Sequence, residues 1–317
     1  MKKLLITRPL PDTVVEAAAQ DFDVTLRADT SPMRPDELRM SLTDYDAVLP
    51  TLRDLYSAEV FADVANPRAG ILANFGVGYN HIDVAAARAA GVTVTNTPGA
   101  VTDATADIAM TLILMSCRRA GEGERLVRAG KWDGWHPTQL LGQHVSGKRI
   151  GIVGMGRIGQ AIAHRCHFGF GMEIAFVQRS AKNFAFPATA YGSLLEMAAD
   201  VDLLVVAVPG GADTEHMINA EVFHALPDHA HMINISRGEV VDETALIAAL
   251  SKGEIAGAGL DVYEFEPHVP EALLALDNVT LLPHLGTAAL EVRVGMGLMA
   301  VENLRAFHHG LDLPNQV

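Results

Sequence analysis

Short apolar runs alternate with amphipathic, alanine-rich stretches along the whole 317-residue chain. Apolar runs bounded by turn residues are typical of buried strands, whereas the stretches between them have the apolar spacing of helices. Regular alternation of this kind favours parallel sheets with helices packed on their faces. The sequence therefore predicts an α/β fold.

The predicted elements form two series, separated where Thr97-Pro98-Gly99 breaks the pattern, so we place a domain boundary near residue 100. In the first series, strands are predicted at 2–7, 47–51, 70–75 and 92–96, and helices at 12–20, 34–42, 57–65 and 82–90. A long helical pattern over 102–129 and a loop over 132–144 follow. The second series has predicted strands at 148–154, 173–178, 202–208, 231–236, 257–262 and 279–283, and a last helix is expected at about 288–309.

Charge and cysteine content argue against several classes of protein. The formal net charge is −14, whereas a nucleic-acid partner requires a basic face. No uncharged apolar stretch is long enough to span a bilayer, and the N-terminal apolar run is too short for a signal peptide. Cys117 and Cys166 lie far apart, without metal-ligand spacing, and are expected to be free thiols. We therefore expect a cytoplasmic protein without a nucleic-acid, membrane or metal partner.

A glycine-rich loop, Gly154-Met155-Gly156-Arg157-Ile158-Gly159, follows a predicted strand and opens a predicted helix. In that context the pattern is a dinucleotide-binding fingerprint, although alone it also occurs in turns that merely pack. Gly154 would allow a tight turn, Gly156 would let the backbone approach a pyrophosphate, and Gly159 would let helix and strand pack closely. Unpaired N–H groups at the start of the helix favour phosphate. The sequence predicts a dinucleotide site here.

The end of the next predicted strand bears on the choice of dinucleotide. An NAD site usually has Asp or Glu at this point to bind the ribose 2′-hydroxyl, but this chain has Gln178. Arg179 and Ser180 follow and could donate hydrogen bonds to a 2′-phosphate, unless they are simply solvated surface residues. We therefore expect NADP(H) to be preferred, with NAD(H) as a possible alternative.

Arg237, Glu266 and His284 each follow a predicted strand of the second series. The carboxyl ends of parallel strands meet at one edge of a sheet, where open α/β folds bind ligands. Singly, each residue would be read as a surface charge or a loop residue; their joint placement favours a site. A guanidinium can hold the carboxylate or carbonyl of a 2-oxo acid, and an imidazolium can protonate the carbonyl oxygen as hydride arrives. A neighbouring carboxylate favours the charged imidazole.

Six long stretches are similar to the D-isomer-specific 2-hydroxyacid dehydrogenase family, and especially to its glyoxylate/hydroxypyruvate reductases. They run in the family's order and span essentially the whole chain, at residues 74–83, 96–107, 147–159, 233–246, 257–267 and 281–288. The resemblance implies two Rossmann-like or flavodoxin-like domains with parallel sheets and an active site in the cleft between them. Residues 1–100 plus 286–317 would form the substrate-binding domain, and 101–285 the dinucleotide-binding domain.

The resemblance also implies roles for individual residues. Arg237, Glu266 and His284 match the family's catalytic residues, and backbone N–H groups at Val77 and Gly78 are expected to bind the substrate carboxylate. Asp261 matches the residue that holds the nicotinamide carboxamide. The remaining matches line the coenzyme, at Thr105, Val208, Pro209, Ile235, Ser236 and Gly286, beside the loop residues Gly154, Met155, Gly156, Arg157 and Ile158.

The loop over 132–144 resembles the specificity loop of the glyoxylate/hydroxypyruvate branch, which implies a homodimer. Trp135 would either reach the neighbouring active site or be buried in the dimer interface. The expected activity is NAD(P)H-dependent reduction of a small 2-oxo acid to the D-2-hydroxy acid. The alternatives are a lactate or phosphoglycerate dehydrogenase and a dinucleotide-sensing binding protein of the same fold. A formate dehydrogenase is disfavoured, because those enzymes are expected to have Gln where this chain has Glu266.

Overall fold

The computed structural model describes residues 1–178 and 184–317, and the chain divides into two compact units. Unit 1 comprises Met1–Val101 and Ala288–Val317, and unit 2 comprises Thr102–Thr287. Each unit has a parallel sheet of its own, as the alternating sequence pattern predicted.

Unit 1, all of whose residues are described, contains a five-stranded sheet in the order β2-β1-β3-β4-β5. This is the flavodoxin-like order, in which the direction of winding reverses between β1 and β3. Strand β2 was missing from the predicted strands because it lies at the edge and buries only its first residue, Phe22. The elements are β1 (Lys2–Ile6), α1 (Asp12–Ala19), β2 (Phe22–Leu26), α2 (Pro35–Asp44), β3 (Ala47–Leu49), α3 (Ala58–Ala62), β4 (Ile71–Ala73), α4 (Val84–Ala89) and β5 (Thr93–Thr95).

Unit 2 has, among its described residues, a seven-stranded parallel sheet in the order β12-β11-β10-β9-β6-β7-β8. The winding reverses between β6 and β9, as in dinucleotide-binding sheets. The strands are β6 (Arg149–Val153), β7 (Glu173–Val177), β8 (Thr189–Ala190), β9 (Leu203–Val206), β10 (His231–Asn234), β11 (Gly257–Leu260) and β12 (Val279–Leu281). The helices are α5 (Thr102–Cys117), α6 (Ala120–Arg128), α7 (Arg157–Phe170), α8 (Leu194–Ala198), α9 (Ala220–Ala225), α10 (Glu243–Lys252) and α11 (Glu271–Leu274).

The helical pattern over 102–129 is two helices, so the prediction of one long helix was wrong. Arg119 takes a left-handed φ of 50° between α5 and α6. The backbone of Gly142 passes so close to the end of α5 that an added Cβ would lie 2.2 Å from the carbonyl oxygen of Cys117. That carbonyl accepts a hydrogen bond from the N–H of Gln143 at 2.7 Å. The returning loop thus satisfies the end of α5 and terminates it.

The last helix, α12 (Leu290–His308), packs within unit 1 rather than unit 2. Gly297 lies against Val14 of α1, so closely that a Cβ would come within 2.4 Å of that side chain. Arg305 donates to Asp21 at 2.6 Å, and Asn303 donates to the carbonyl of Asn96 at 3.1 Å. These contacts attach the C-terminal segment to the unit formed by the N-terminal residues.

Both cysteines are free and buried in unit 2. Burial raises the pKa of each thiol to about 12. The described part of the chain contains no helix that is long and apolar enough to cross a bilayer.

Candidate active site

The glycine loop joins β6 to α7, beside the point where the unit 2 sheet reverses its winding. Gly154 has a φ of +99°, and a Cβ there would lie 2.7 Å from the carbonyl oxygen of Ala207. At Gly159 a Cβ would lie 2.1 Å from the carbonyl oxygen of Gly154. A side chain at Gly156, by contrast, would meet no described atom within 4 Å. The loop is therefore closed on its protein side and open at Gly156.

These features fit a dinucleotide. Gly156 is the N-cap of α7, so the N–H groups of the first turn of this helix are directed toward the open side of the loop. Gln178, just beyond β7, has a buried side-chain oxygen without a hydrogen-bond partner among the described residues. A buried unpaired amide oxygen is costly, and a ligand hydroxyl would satisfy it. Arg179 and Ser180 lie outside the described residues.

The other predicted coenzyme residues in this part of unit 2 surround the same sheet edge. Val208 and Pro209 follow β9, and Val208 lies 2.7 Å from the position of a Cβ at Gly154. Thr214 donates to the carbonyl of Pro209 at 2.8 Å and so fixes this segment. Of the remaining loop residues, Met155 is buried, Ile158 partly buried and Arg157 exposed.

Glu266 and His284 form a direct pair. The carboxylate of Glu266 accepts from Nδ1 of His284 at 2.9 Å and from the N–H of Tyr263 at 3.1 Å. Burial raises the pKa of Glu266, but the hydrogen bond and charge of His284, the Tyr263 N–H and the charge of Arg237 outweigh burial and lower it overall. Glu266 is therefore ionised at neutral pH, and its carboxylate can hold Nδ1 of His284 in place.

Arg237 follows β10 and lies near this pair, since its charge acts on the carboxylate of Glu266. Burial lowers the pKa of Arg237, while the charges of Glu239 and Glu266 act in the opposite direction. Nη1 of Arg237 donates to the carbonyl of Ser236 at 2.7 Å. A partly buried guanidinium with spare donors beside an imidazole can hold a carbonyl or carboxylate group.

Gly238 explains how the loops carrying Arg237 and Glu266 come together. A Cβ at Gly238 would lie 1.9 Å from the backbone carbon and oxygen of Tyr263 and 2.3 Å from the nitrogen of Glu264. Only glycine permits that approach. The short 3₁₀ turn Gly238–Val240 is thereby packed on the segment that leads to Glu266.

Asp261 braces the loop that carries His284. Its buried carboxylate accepts from the N–H groups of Leu285 at 2.6 Å and Gly286 at 2.8 Å, and its carbonyl accepts from the N–H of His284 at 2.9 Å. Burial raises the pKa of Asp261, and the two N–H donors act against that rise. Thr105 donates to the carbonyl of Gly286 at 3.1 Å. His284 itself has a left-handed φ of 55°, held by this bracing.

The predicted carboxylate-binding turn lies in unit 1, after β4. Asn74 donates to the carbonyls of Gly76 and Gly78, each at 3.0 Å, and Asn96 donates to the carbonyl of Val77 at 3.0 Å. The N–H groups of Val77 and Gly78 make no hydrogen bond to a described residue. With its carbonyls held back, the turn presents two backbone donors, which is the chemistry that binds an anion.

Sequence reasoning missed the residues that hold these loops. Asn234 at the end of β10 accepts from the N–H and hydroxyl of Ser236 at 3.0 and 2.9 Å and donates to the carbonyl of Arg237 at 2.9 Å. Ile235 and Ser236 themselves are buried. An Asn directly after an apolar strand is a signal for such a turn. Among the described residues, no group of three or more His, Cys, Asp or Glu is arranged to hold a metal ion.

The fold and this site define a dinucleotide-dependent oxidoreductase with an imidazole–carboxylate pair. The model of the D-isomer specific 2-hydroxyacid dehydrogenase NAD-binding domain matches residues 110–286. A glyoxylate reductase of Thermococcus kodakarensis is 43% identical over 321 residues, covering 99% of this chain and 96% of the relative. A glycerate dehydrogenase of Hyphomicrobium methylovorum is 36% identical and covers 98% of each chain.

A solved structure points the same way. The NADPH-dependent glyoxylate/hydroxypyruvate reductase of Sinorhizobium meliloti, in complex with NADP and malonate, has a TM-score of 0.86. It is 37% identical and covers 100% of this chain and 96% of its own. The chain belongs to the D-isomer-specific 2-hydroxyacid dehydrogenase family.

Proposed function

We propose that this enzyme reduces glyoxylate, hydroxypyruvate or a similar small 2-oxo acid to the D-2-hydroxy acid with NADPH. The observation that carries the proposal is the 2.9 Å hydrogen bond between Nδ1 of His284 and Glu266, with Arg237 nearby. These side chains supply the proton donor, its charge partner and the carbonyl-binding cation that 2-oxo acid reduction requires. The names of the relatives agree with this activity.

In this mechanism the chain binds the substrate and supplies the proton. The N–H groups of Val77 and Gly78 bind the substrate carboxylate, and Arg237 holds the carbonyl oxygen. Because Nδ1 of His284 donates to Glu266, Nε2 is the nitrogen that gives its proton to that oxygen. A reduced nicotinamide supplies the hydride when bound. The coenzyme would be held by residues of the glycine loop and of the neighbouring strand ends, namely Gly154, Met155, Gly156, Arg157, Ile158, Val208, Pro209, Ile235, Ser236, Asp261, Gly286 and Thr105.

The test is a panel of 2-oxo acids assayed with NADPH and with NADH, ranked by kcat/KM. Steady oxidation of NADPH with glyoxylate or hydroxypyruvate is the expected result. Higher kcat/KM for pyruvate would favour the lactate type instead, and activity confined to phosphohydroxypyruvate would favour the phosphoglycerate type. NADPH binding without turnover of any 2-oxo acid would contradict the proposal and identify a dinucleotide sensor.

We further propose a preference for NADPH, supported by the neutral Gln178 in place of a carboxylate that would repel a 2′-phosphate. Gln178→Asp is expected to shift the ratio of kcat/KM for NADPH over NADH toward NADH, by roughly tenfold or more if one charge-assisted contact is lost. Gln178→Glu tests the same charge with a longer side chain. An unchanged ratio in both variants would refute the role of residue 178.

A homodimer in the cytoplasm is the proposed form. Helix α6, which is fully described, buries none of its residues, and Trp135 beyond it is 79% exposed. Exposed apolar side chains that cluster on one segment are typical of an interface. Sedimentation velocity of the wild type and of Trp135→Ala tests this: a dimer is expected for the wild type. If Trp135→Ala stays dimeric but loses kcat/KM, Trp135 serves the neighbouring active site rather than the interface.

A further inference from the structure

A strained turn follows β3 in unit 1. The N–H of Asp54 donates to the carbonyl of Thr51 at 3.2 Å, which closes the four-residue turn Thr51–Asp54. Arg53, its third residue, has a φ of +78°. A positive φ at that position, as in a type II turn, favours Gly or Asn, and a long side chain there costs about 1–2 kcal/mol. Such strain concentrates where the side chain has a function.

The neighbouring Asp54 keeps the turn in this conformation. Its carboxylate is fully buried and accepts from the hydroxyl of Thr7 at 2.6 Å, from the N–H of Met33 at 3.1 Å and from the N–H of Thr51 at 3.2 Å. Nη2 of Arg8 lies 3.0 Å from it. The carboxylate of Asp54 is therefore occupied by hydrogen bonds and an ion pair within unit 1. Arg53 itself is exposed and has no ion-pair partner among the described residues.

The turn lies at the point where the unit 1 sheet reverses its winding. Arg8 follows β1, and Arg53 follows the adjacent β3. In open α/β sheets, ligands bind outside the carboxyl ends of the strands at this point. Burial lowers the pKa of Arg8, Asp54 acts against that, and the charges of Arg27 and Arg53 lower it further. Because Arg8 is ion-paired with the buried Asp54, the exposed Arg53 is the cation of this turn that remains without an ion-pair partner among the described residues.

The Thr51–Asp54 turn is also adjacent to the carboxylate-binding turn. Thr51 pairs in parallel with Phe75, as Val48 pairs with Leu72, so the chains that continue from Thr51 and Phe75 leave the sheet side by side. Paired strands lie about 4.8 Å apart. The Thr51–Asp54 turn therefore begins beside the segment that leads into the Gly76–Gly78 turn, within the same unit.

We propose that Arg53 binds a second anionic group, a carboxylate or phosphate, on a 2-oxo acid whose first carboxylate is bound by the N–H groups of Val77 and Gly78. The inference rests on the proposed function and extends its substrate class to dianionic 2-oxo acids. The guanidinium offers rigid donors that pair with either oxyanion.

The experiment compares Arg53→Gly and Arg53→Asn with the wild type on dianionic substrates (oxaloacetate and phosphohydroxypyruvate) and monoanionic ones (glyoxylate and hydroxypyruvate). Both replacements tolerate a positive φ, so the melting temperature should stay the same or rise. The loss of a charge-assisted contact should lower kcat/KM for dianions by roughly 10- to 100-fold. The value for monoanions should change by less than about threefold, since rim charges mainly alter association. Arg39→Asn, on α2, controls for net charge.

The relative effects on the two dianions tell whether a carboxylate or a phosphate is preferred. Equal losses for monoanions and dianions, or no loss for either, would overturn the proposal. A wild type that reduces glyoxylate but neither dianion would also overturn it while leaving the proposed function intact. A wild type inactive on every 2-oxo acid would instead contradict the proposed function, and the inference would fall with it.

Discussion

Unit 1 and unit 2 each place polar groups at the carboxyl edge of a parallel sheet, but they use different chemistry there. Unit 2 contributes ionisable side chains from three loops, and Glu266 and His284 form a direct hydrogen bond. Unit 1 contributes backbone N–H groups of a turn whose carbonyls are held by the neutral amides Asn74 and Asn96. Proton transfer and its pH dependence should therefore come from unit 2, whereas unit 1 should recognise the carboxylate independently of pH.

The largest effect should come from removing the proton donor of unit 2. His284→Ala is expected to lower kcat by roughly 10²–10⁴-fold, the usual contribution of a general acid, with a much smaller change in KM. Steady-state assays with glyoxylate and NADPH measure this. Because His284 has a left-handed φ, His284→Asn, which tolerates that conformation, separates loss of the acid from backbone strain. Near-normal turnover in both variants, with the exposed His309→Ala as control, would remove His284 from the mechanism.

A smaller effect, mainly on KM, should follow from loosening the unit 1 turn. Asn74→Ala frees the carbonyls of Gly76 and Gly78 and removes the partner of His81. The expected loss in kcat/KM is about 10- to 100-fold, from the cost of leaving buried groups unpaired. Asn74→Asp has the same size but cannot donate a hydrogen bond, so it should lower kcat/KM to a similar extent. The control Asn66→Ala, at an exposed position, should leave kcat/KM unchanged. If kcat falls while KM stays constant, the contrast between the units is wrong.

The smallest effect concerns stability in unit 2. Nε2 of His216 lies 2.9 Å from Glu264, and this hydrogen bond, together with the charges of Glu264, Asp242 and Glu215, raises the pKa of His216 against a smaller lowering by burial. A raised pKa means that the folded state holds the proton more tightly than the unfolded state does. The stabilisation is thus complete below about pH 6.5, the ordinary value, and is lost as pH rises through the folded-state pKa.

Thermal unfolding of the wild type and of His216→Gln across pH 5 to 9 measures this effect. The difference in Tm should be small, since exposed ion pairs contribute at most about 1 kcal/mol, and it should shrink toward alkaline pH. A difference that grows with pH would have the opposite sign and would exclude the pair as its source.

The fold was predictable because the sequence pattern that indicates it repeats along the chain. Apolar runs alternating with helical patterns predicted two parallel sheets, and both are present. Edge strand β2 and the break between α5 and α6 were not predictable in the same way. The first buries little apolar surface, and the second depends on Gly142 returning to Cys117 from a distant part of the sequence.

In the candidate site, too, some residues could be predicted from the sequence and others could not. Arg237, Glu266 and His284 could be selected because each follows a strand, and the carboxyl ends of parallel strands meet at one edge. Their supports were not visible in the sequence: Asn234 acts through three hydrogen bonds across its own turn, and the importance of Gly238 lies in what it touches. Contacts of this kind leave no periodic pattern or motif in the sequence, so they can be identified only from the structure of the loops.

The contact of Gly238 with Tyr263 and Glu264 has a consequence for how this enzyme could be diversified. Even one added methyl group at position 238 would separate the loop of the guanidinium from that of the carboxylate, so this position should accept only glycine. The Thr51–Asp54 turn is different, because the side chain of Arg53 is exposed. New substrate ranges should therefore be reached by substitution in that turn, while the chemistry stays unchanged.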